Sequence, residues 1–440
     1  MAAYADMTTA ELQAELNELQ RRYHDFQARD LRLNMARGKP SPEQLDLNLG
    51  LLSALPDSER PLASDGEDTR NYGSLLGIPE ARALLAELLA VPADNVYAAG
   101  NSSLNLMYDA LSRAMLYGVR GGQPLCQQGP LRWLCPVPGY DRHFAITETL
   151  GLENVPIPML ADGPDMDRVE QLVNQDKNVK GIWCVPKYAN PTGITYSDAV
   201  VRRFAALRPA AADFRIYWDN AYAVHDLFPG AGDTLLNLKE ACEAAGNPDI
   251  YYQFASTSKI SFAAGGISAL ATSEANLQEM AAQIAIQNIG PDKVNQLRHV
   301  RWFEQLGGGP GQGMAGILRH MQELALIIAP KFAVVQEVLA SELDGLGIAS
   351  WTTPRGGYFI SLDALPGTAR RTVDLAKQAG VVLTEAGATW PGGQDPADSN
   401  IRIAPTYPAL AELELASQLL TICLRLAAVE QLLAASLDVG

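Results

Sequence analysis

Lys259 stands in the stretch Ser256-Thr257-Ser258-Lys259-Ile260-Ser261-Phe262-Ala263-Ala264-Gly265-Gly266-Ile267, where hydroxyls flank it and small residues follow. Nothing in that setting is built to solvate a charge. A lysine withdrawn from water loses its proton readily, because desolvation disfavours the ammonium, and the neutral amine can form an imine with an aldehyde. A surface lysine beside a Gly-Gly turn is the alternative for this stretch taken alone, and the residues upstream decide against it. Asn190-Pro191-Thr192-Gly193 follows the apolar run Ile182-Trp183-Cys184-Val185-Pro186, and Asp219-Asn220-Ala221-Tyr222 follows Phe214-Arg215-Ile216-Tyr217-Trp218. Each polar group ends a short apolar run, which is where an α/β sheet carries its ligand groups, at the carboxyl edge of its strands.

The elements that must position these residues can be traced along the chain. Thr8-Thr9-Ala10-Glu11 reads as a capping box, and Leu12, Leu16, Leu19, Tyr23 and Phe26 recur behind it on one helix face. Arg37-Gly38-Lys39-Pro40 is a loop by its glycine and prolines. Arg70-Asn71-Tyr72-Gly73 precedes a helix opened by Pro79-Glu80, with Ala81, Leu84, Leu85, Leu88 and Leu89 on one face. Residues 96–100 read as a strand, Asn101-Ser102-Ser103 as a turn and residues 104–117 as a helix. Free N–H groups at that helix start suit a phosphate, and an ordinary serine N-cap explains the same residues. The run through Pro136-Val137-Pro138-Gly139 ends in Tyr140.

Residues 276–305 have helical character and a basic cluster of Lys293, Arg298, His299 and Arg301, before Gly307-Gly308-Gly309-Pro310-Gly311-Gln312-Gly313 breaks regular structure. A helix over 321–343, kinked or restarted at Pro330, leads to strands at 356–362, 381–383 and 400–404, the last carrying Arg402. A helix over 409–437 closes the chain. The expected division is an N-terminal helix and arm at 1–50 contributing to a small domain, a large domain at 51–315 and a small C-terminal domain at 316–440.

A chain of 440 residues can bury ample cores in two domains. Hydrophobic residues make 48% and charged residues 19%, which describes a globular protein. The net charge of −16 opposes a nucleic-acid partner, whose phosphates it would repel. Five cysteines without C-x-x-C spacing suggest neither zinc nor a disulfide framework, and no metal site is expected. No uninterrupted apolar run reaches membrane-span length and no signal pattern opens the chain, so a cytoplasmic location is expected.

The order N-P-T-G, D-x-x-Y, S-x-S-K, carried by Asn190, Asp219, Tyr222 and Lys259, resembles the fold type I pyridoxal-phosphate aminotransferases. The similarity spans about Arg37 to Arg402 and looks closest to aspartate aminotransferase subgroup Ic, relatives of the MocR-type regulators. The resemblance implies an α/β fold, with a large domain built on a mostly parallel sheet and a smaller α+β domain. It implies pyridoxal 5'-phosphate as cofactor and a homodimer with shared active sites.

Lys259 would bind the cofactor and move the substrate proton, Asp219 would keep the pyridine nitrogen protonated, and Tyr222 and Asn190 would donate to the ring oxygen. Ser102, Ser103 and Ser256 would cradle the phosphate, and Tyr140 would stack on the ring, although packing alone also explains a tyrosine there. Tyr72 would reach the partner subunit's cofactor, or serve as packing. Gly38 and Arg402 would meet the substrate α-carboxylate, with Arg402 as a bidentate clamp. Ile267 stands where such proteins commonly place a phosphate-binding arginine. The expected reaction moves an amino group from aspartate to 2-oxoglutarate, with Lys293, Arg298, Arg301, Arg37 or Lys39 meeting the distal carboxylate. Alanine or aromatic donors, a lyase or decarboxylase reaction, and an effector-sensing module are the alternatives.

Overall fold

The computed structural model of the chain describes residues 3–437. Thirteen strands are described: β1 Leu33–Asn34, β2 Val96–Ala99, β3 Arg132–Val137, β4 Glu153–Leu160, β5 Gly163–Pro164, β6 Val179–Cys184, β7 Arg215–Asp219, β8 Tyr251–Ser256, β9 Ser268–Ala271, β10 Ala349–Trp351, β11 Ile360–Ala364, β12 Val381–Val382 and β13 Asn400–Ile403. Eight of them form one sheet in the order β2-β9-β8-β7-β6-β3-β4-β5. The pairs β4/β3, β3/β6, β6/β7 and β7/β8 are parallel, whereas β9 runs antiparallel to both β8 and β2. Because β9 opposes both neighbours, β2 points the same way as β8. The carboxyl ends of β2, β3, β6, β7 and β8 therefore share one edge.

Every residue of β2, β6 and β7 is buried. Helices cover both faces of such a sheet, so its strands read as continuous apolar runs rather than alternating ones. The same burial makes the strand ends conspicuous in the sequence, since polar residues resume where the sheet stops.

The second layer system holds the antiparallel sheet β10-β11-β13 and the parallel pair β1/β12. The N-terminal helix Thr9–Gln27 starts with the expected capping box of Thr8 and Glu11 and buries Leu12, Leu19, Tyr23 and Phe26. It docks on the C-terminal part of the chain. Tyr23 donates to the Leu375 carbonyl at 2.8 Å, and Arg425 of the helix Leu410–Leu437 bonds Glu15, Glu342 and the Tyr4 hydroxyl. The first described helix and the last one are thus tied together by side-chain bonds.

Two local readings change. The helix Gly313–Leu343 starts earlier than the sequence suggests and runs unbroken through Pro330, so the boundary drawn at 315/316 falls inside its first turn. Pro330 leaves the carbonyl of Leu326 without a helical donor, and Leu326 lies on the exposed face, where water can serve it. The strand expected over 356–362 begins only at Ile360, because Gly357 takes the left-handed region at φ +79°. The helices Gly313–Leu343 and Leu410–Leu437 are long and apolar enough to cross a bilayer, with a mean hydropathy of 1.6 in each. Both bury many of their apolar residues in the largest hydrophobic core. Cys135, Cys184, Cys242 and Cys423 are buried, Cys126 is exposed, and all five are unpaired.

Candidate active site

The shared carboxyl edge gathers the predicted residues. Ser256 ends β8 and Lys259 follows in the turn behind it, Asp219 ends β7, Asn190 follows β6 and Tyr140 follows β3. Ser102 and Ser103 lie beyond β2 at the start of the helix Ser103–Tyr117. Arg402 arrives from β13, opposite Ser361 of β11, so the smaller sheet brings a guanidinium to Asn190 at this edge.

Lys259 is half-buried, with its amine 5.1 Å from the centre of the Tyr222 ring and 5.9 Å from that of Tyr358. Desolvation of the amine lowers its pKa from the ordinary lysine value, and the Asp219 carboxylate opposes that shift. The turn that carries it is pinned from several sides. Ser261 Oγ bonds Thr257 Oγ1 and His299 Nε2 at 2.9 Å each, and His320 Nε2 lies 2.9 Å from the Ile260 carbonyl.

Asp219 is 4% exposed; its Oδ2 lies 3.2 Å from His143 Nε2, and its Oδ1 is buried with no hydrogen-bond partner. The His143 ring stacks on Trp183 at 4.6 Å and 16°. A carboxylate oxygen is costly to bury unpaired, so Oδ1 is set to receive a donor that protein atoms do not supply. Tyr222 is 2% exposed, and burial, with Tyr140 and Asp219 nearby, pushes its hydroxyl far above the ordinary tyrosine range. It stays a neutral donor. Tyr140 packs edge-on against His143 at 4.9 Å, and burial together with Asp219 raises its hydroxyl to about 12.

The serines lie where β2 and β8 end and β9 begins, side by side. Ser256 Oγ and Ser258 Oγ are 3.2 Å apart, and Ser258 Oγ also donates to the Asn101 carbonyl at 3.1 Å. Asn101 holds the two loops together, accepting from the Gly266 N–H at 2.7 Å and donating to the Ala263 carbonyl at 3.0 Å. Ser102 caps the helix by accepting from the Asn105 N–H at 3.4 Å, so the residue expected at a phosphate is also the N-cap. Ile267 is fully buried in apolar core, with its N–H bonded to Thr257 Oγ1 at 3.0 Å.

Arg402 is 7% exposed, with Nη1 2.8 Å from Asp141 Oδ1 and 3.3 Å from Asn190 Oδ1. Its guanidinium carbon lies 5.1 Å from the centre of the Phe359 ring. Gly38 closes against the same ring, since a Cβ there would come within 2.5 Å of Phe359 Cζ. Its lack of a side chain lets the 37–39 loop pack directly over Phe359, beside Arg402. Tyr72 is 77% exposed and far from partnered packing.

His143, Trp183, Tyr358 and Asp141 belong to the site without having been singled out. His143 and Asp141 sit within three residues of Tyr140, at the start of the helix Asp141–Thr149. A histidine at the head of a helix that follows a strand end was the available signal. The pairing with Asp219, 76 positions away, was not.

A half-buried lysine, a buried carboxylate with one free oxygen and a buried arginine thus meet at the carboxyl edge of a mostly parallel sheet. The aspartate amino-transferase family matches residues 7–436. An aspartate aminotransferase of Corynebacterium glutamicum is 45% identical over 98% of this chain and 99% of its own. A Mycolicibacterium smegmatis protein is 51% identical over 94% of this chain and 95% of its own. The crystal structure of a Corynebacterium glutamicum aspartate transaminase superposes with a TM-score of 0.92 at 45% identity, covering 97% of this chain and 98% of that one. The chain belongs to the aspartate aminotransferase family.

Proposed function

We propose that the protein moves an amino group between a dicarboxylic amino acid, aspartate first, and 2-oxoglutarate, with pyridoxal 5'-phosphate as cofactor. The unpartnered Asp219 Oδ1, on a carboxylate whose charge is felt by the half-buried Lys259 amine, carries the cofactor reading. The fit extends to the serine cluster at a helix N-terminus and to the Tyr140 ring. A structure of α-aminoadipate aminotransferase from Thermus thermophilus, 18% identical with a TM-score of 0.71, holds N-(5'-phosphopyridoxyl)-L-leucine on the same fold.

When bound, the cofactor supplies an electron sink for charge leaving the substrate α-carbon. Asp219 Oδ1 would hold a proton on the ring nitrogen, and His143, stacked on Trp183, fixes the carboxylate that does so. Lys259 Nζ, its basicity already lowered by burial, would take the α-proton and return it. Tyr222 and Asn190 would donate to the ring oxygen, while Tyr140 would cover the ring and exclude water. Ser102, Ser103 and Ser256 would take the phosphate with the helix N-terminus. Arg402 would clamp the α-carboxylate, and Gly38 keeps the neighbouring loop close.

The name of the Corynebacterium glutamicum relative supports aspartate. Of the five cations expected at the distal carboxylate, Lys293 is buried against Glu67, Arg301 faces Glu304 at 3.6 Å, Arg298 bonds Asn295 Oδ1 at 2.5 Å, and Lys39 lies 3.9 Å over the Tyr407 ring. Arg37 is exposed, and we assign it the distal role in cis or across a dimer. Exposed Tyr72, Ile286 and Ile289 favour a homodimer in which Tyr72 completes the partner's site. Kinship with subgroup Ic and the MocR-type regulators rests on the order of motifs. Five unpaired thiols suit a reducing, cytoplasmic setting.

The test adds aspartate, glutamate, alanine and phenylalanine separately to the holoenzyme. A transaminase changes its absorption with an amino donor alone and turns over only when 2-oxoglutarate follows. Product released well beyond one equivalent per site without an acceptor would indicate a lyase or decarboxylase. Higher kcat/KM for alanine or phenylalanine than for aspartate would end the dicarboxylate reading, and Arg37→Ala should selectively lower kcat/KM for aspartate and glutamate.

A further inference from the structure

We propose that Asp141 is the resident counter-ion of Arg402, and that an incoming acid must displace it to be clamped. The inference rests on the reading of Arg402 as the α-carboxylate clamp and adds what sets the strength of that clamp. Arg402 is 7% exposed, and a guanidinium so buried needs a compensating charge. Among the described residues Asp141 is the carboxylate in ion-pair contact with it, Oδ1 to Nη1 at 2.8 Å. Its other partners are neutral oxygens, Asn190 Oδ1 at 3.3 Å from Nη1 and Thr384 Oγ1 at 3.4 Å from Nε. Nη1 has two N–H groups, and Asp141 and Asn190 take both, so a carboxylate held by parallel bonds to Nη1 and Nη2 must displace one of them, and Asp141 is the one whose charge it replaces.

Asp141 can leave at little cost. It is the first residue of the helix Asp141–Thr149, and the preceding Tyr140 side chain caps none of that helix's free N–H groups. The side chain is 34% exposed, so a released carboxylate moves to water and to the positive end of its own helix. The pair therefore has two tolerable arrangements, one closed on Arg402 and one open once an acid compensates the guanidinium.

A specificity follows. An acid that carries a full negative charge replaces Asp141 with an equal charge, and the buried guanidinium stays compensated. An amide or ester of the same amino acid brings no charge. It leaves Asp141 in place and finds the clamp occupied.

The holoenzyme is tested as wild type, Asp141→Asn and Asp141→Ser, measuring KM and kcat for aspartate and 2-oxoglutarate. Inhibition by propanoate, which has a carboxylate but no amino group, is measured alongside. Removing the competitor should lower both KM values and the propanoate inhibition constant about tenfold, a change of about 1.4 kcal/mol, with KM moving further than kcat. Unchanged or raised constants would overturn the proposal, a rise showing that Asp141 instead holds Arg402 in position. Should the variants fail to fold, a crystal structure of the wild type with bound acid decides. Asp141 outside ion-pair distance of Nη1 supports displacement, and a retained contact overturns it. Arg402→Lys separates the two levels of inference. Undisturbed KM values there would remove the clamp reading and this proposal with it, whereas raised KM values beside an unresponsive Asp141→Asn would remove the proposal alone.

Discussion

Replacing Asp219 with asparagine separates the cost of a charged group to the fold from its use in the reaction. The substitution keeps the shape and an acceptor for His143 Nε2, which lies 3.2 Å from Oδ2. What it removes is charge, including that shared by Oδ1, buried and unpartnered in the absence of cofactor. A buried unpaired charge costs more than the about 1–3 kcal/mol of a neutral polar atom, so the apoprotein of Asp219→Asn, which leaves only a neutral amide group unpaired, should be as stable as the wild type or more so. The holoenzyme should suffer instead. An opposite charge in contact with a titrating nitrogen shifts its protonation by about ten- to a thousandfold. Losing that charge should lower kcat by the same range, about 1.4–4 kcal/mol of barrier. The assays are turnover of aspartate with 2-oxoglutarate and thermal unfolding of the apoprotein. Undiminished kcat would refute the assignment of Asp219 to the ring nitrogen. A fall in apoprotein stability matching the fall in kcat would mean that Asp219 serves the fold.

Lys259→Ala should abolish turnover and the borohydride-fixed pyridoxyl label, and a label found on another lysine would displace Lys259 from its role. Burial, with the cations of Lys259 and Lys187, depresses His225 from 6.5 to about 3, and burial depresses His299 to about 4. Folded pKa values below the unfolded ones mean that the unfolded chain binds more protons in between, so this stability is complete above about pH 6.5 and lost as the pH falls through 4 toward 3. Each residue contributes a slope of up to about 1.4 kcal/mol per pH unit. His299→Gln should flatten the dependence of the unfolding temperature between pH 6.5 and 4.5, and an unchanged slope would contradict the neutral burial of that ring. Mixing Tyr72→Ala with Lys259→Ala subunits should restore activity through hybrid dimers, whereas an active monomer in sedimentation would exclude a shared site.

Local physics wrote much of this protein directly into its sequence. The capping box at Thr8 and Glu11, the proline-started helix at Pro79 and the continuous apolar runs of β6 and β7 depend on neighbours a few residues away, and all appear as read. Asn190, Asp219, Tyr222 and Lys259 were legible because a buried sheet is apolar to its end, which leaves its edge residues marked. Contacts between distant positions have no such signature. The Asp219–His143 pair, the Asp141–Arg402 pair and the packing of Gly38 on Phe359 each join segments that only the closed chain brings together. The same holds for Lys293, whose type and place suggested a free cation for substrate until the fold buried it against Glu67. Charge in a sequence is visible, but its partner is set by tertiary packing, because ion pairs and hydrogen bonds are made across space and carry no periodicity along the chain.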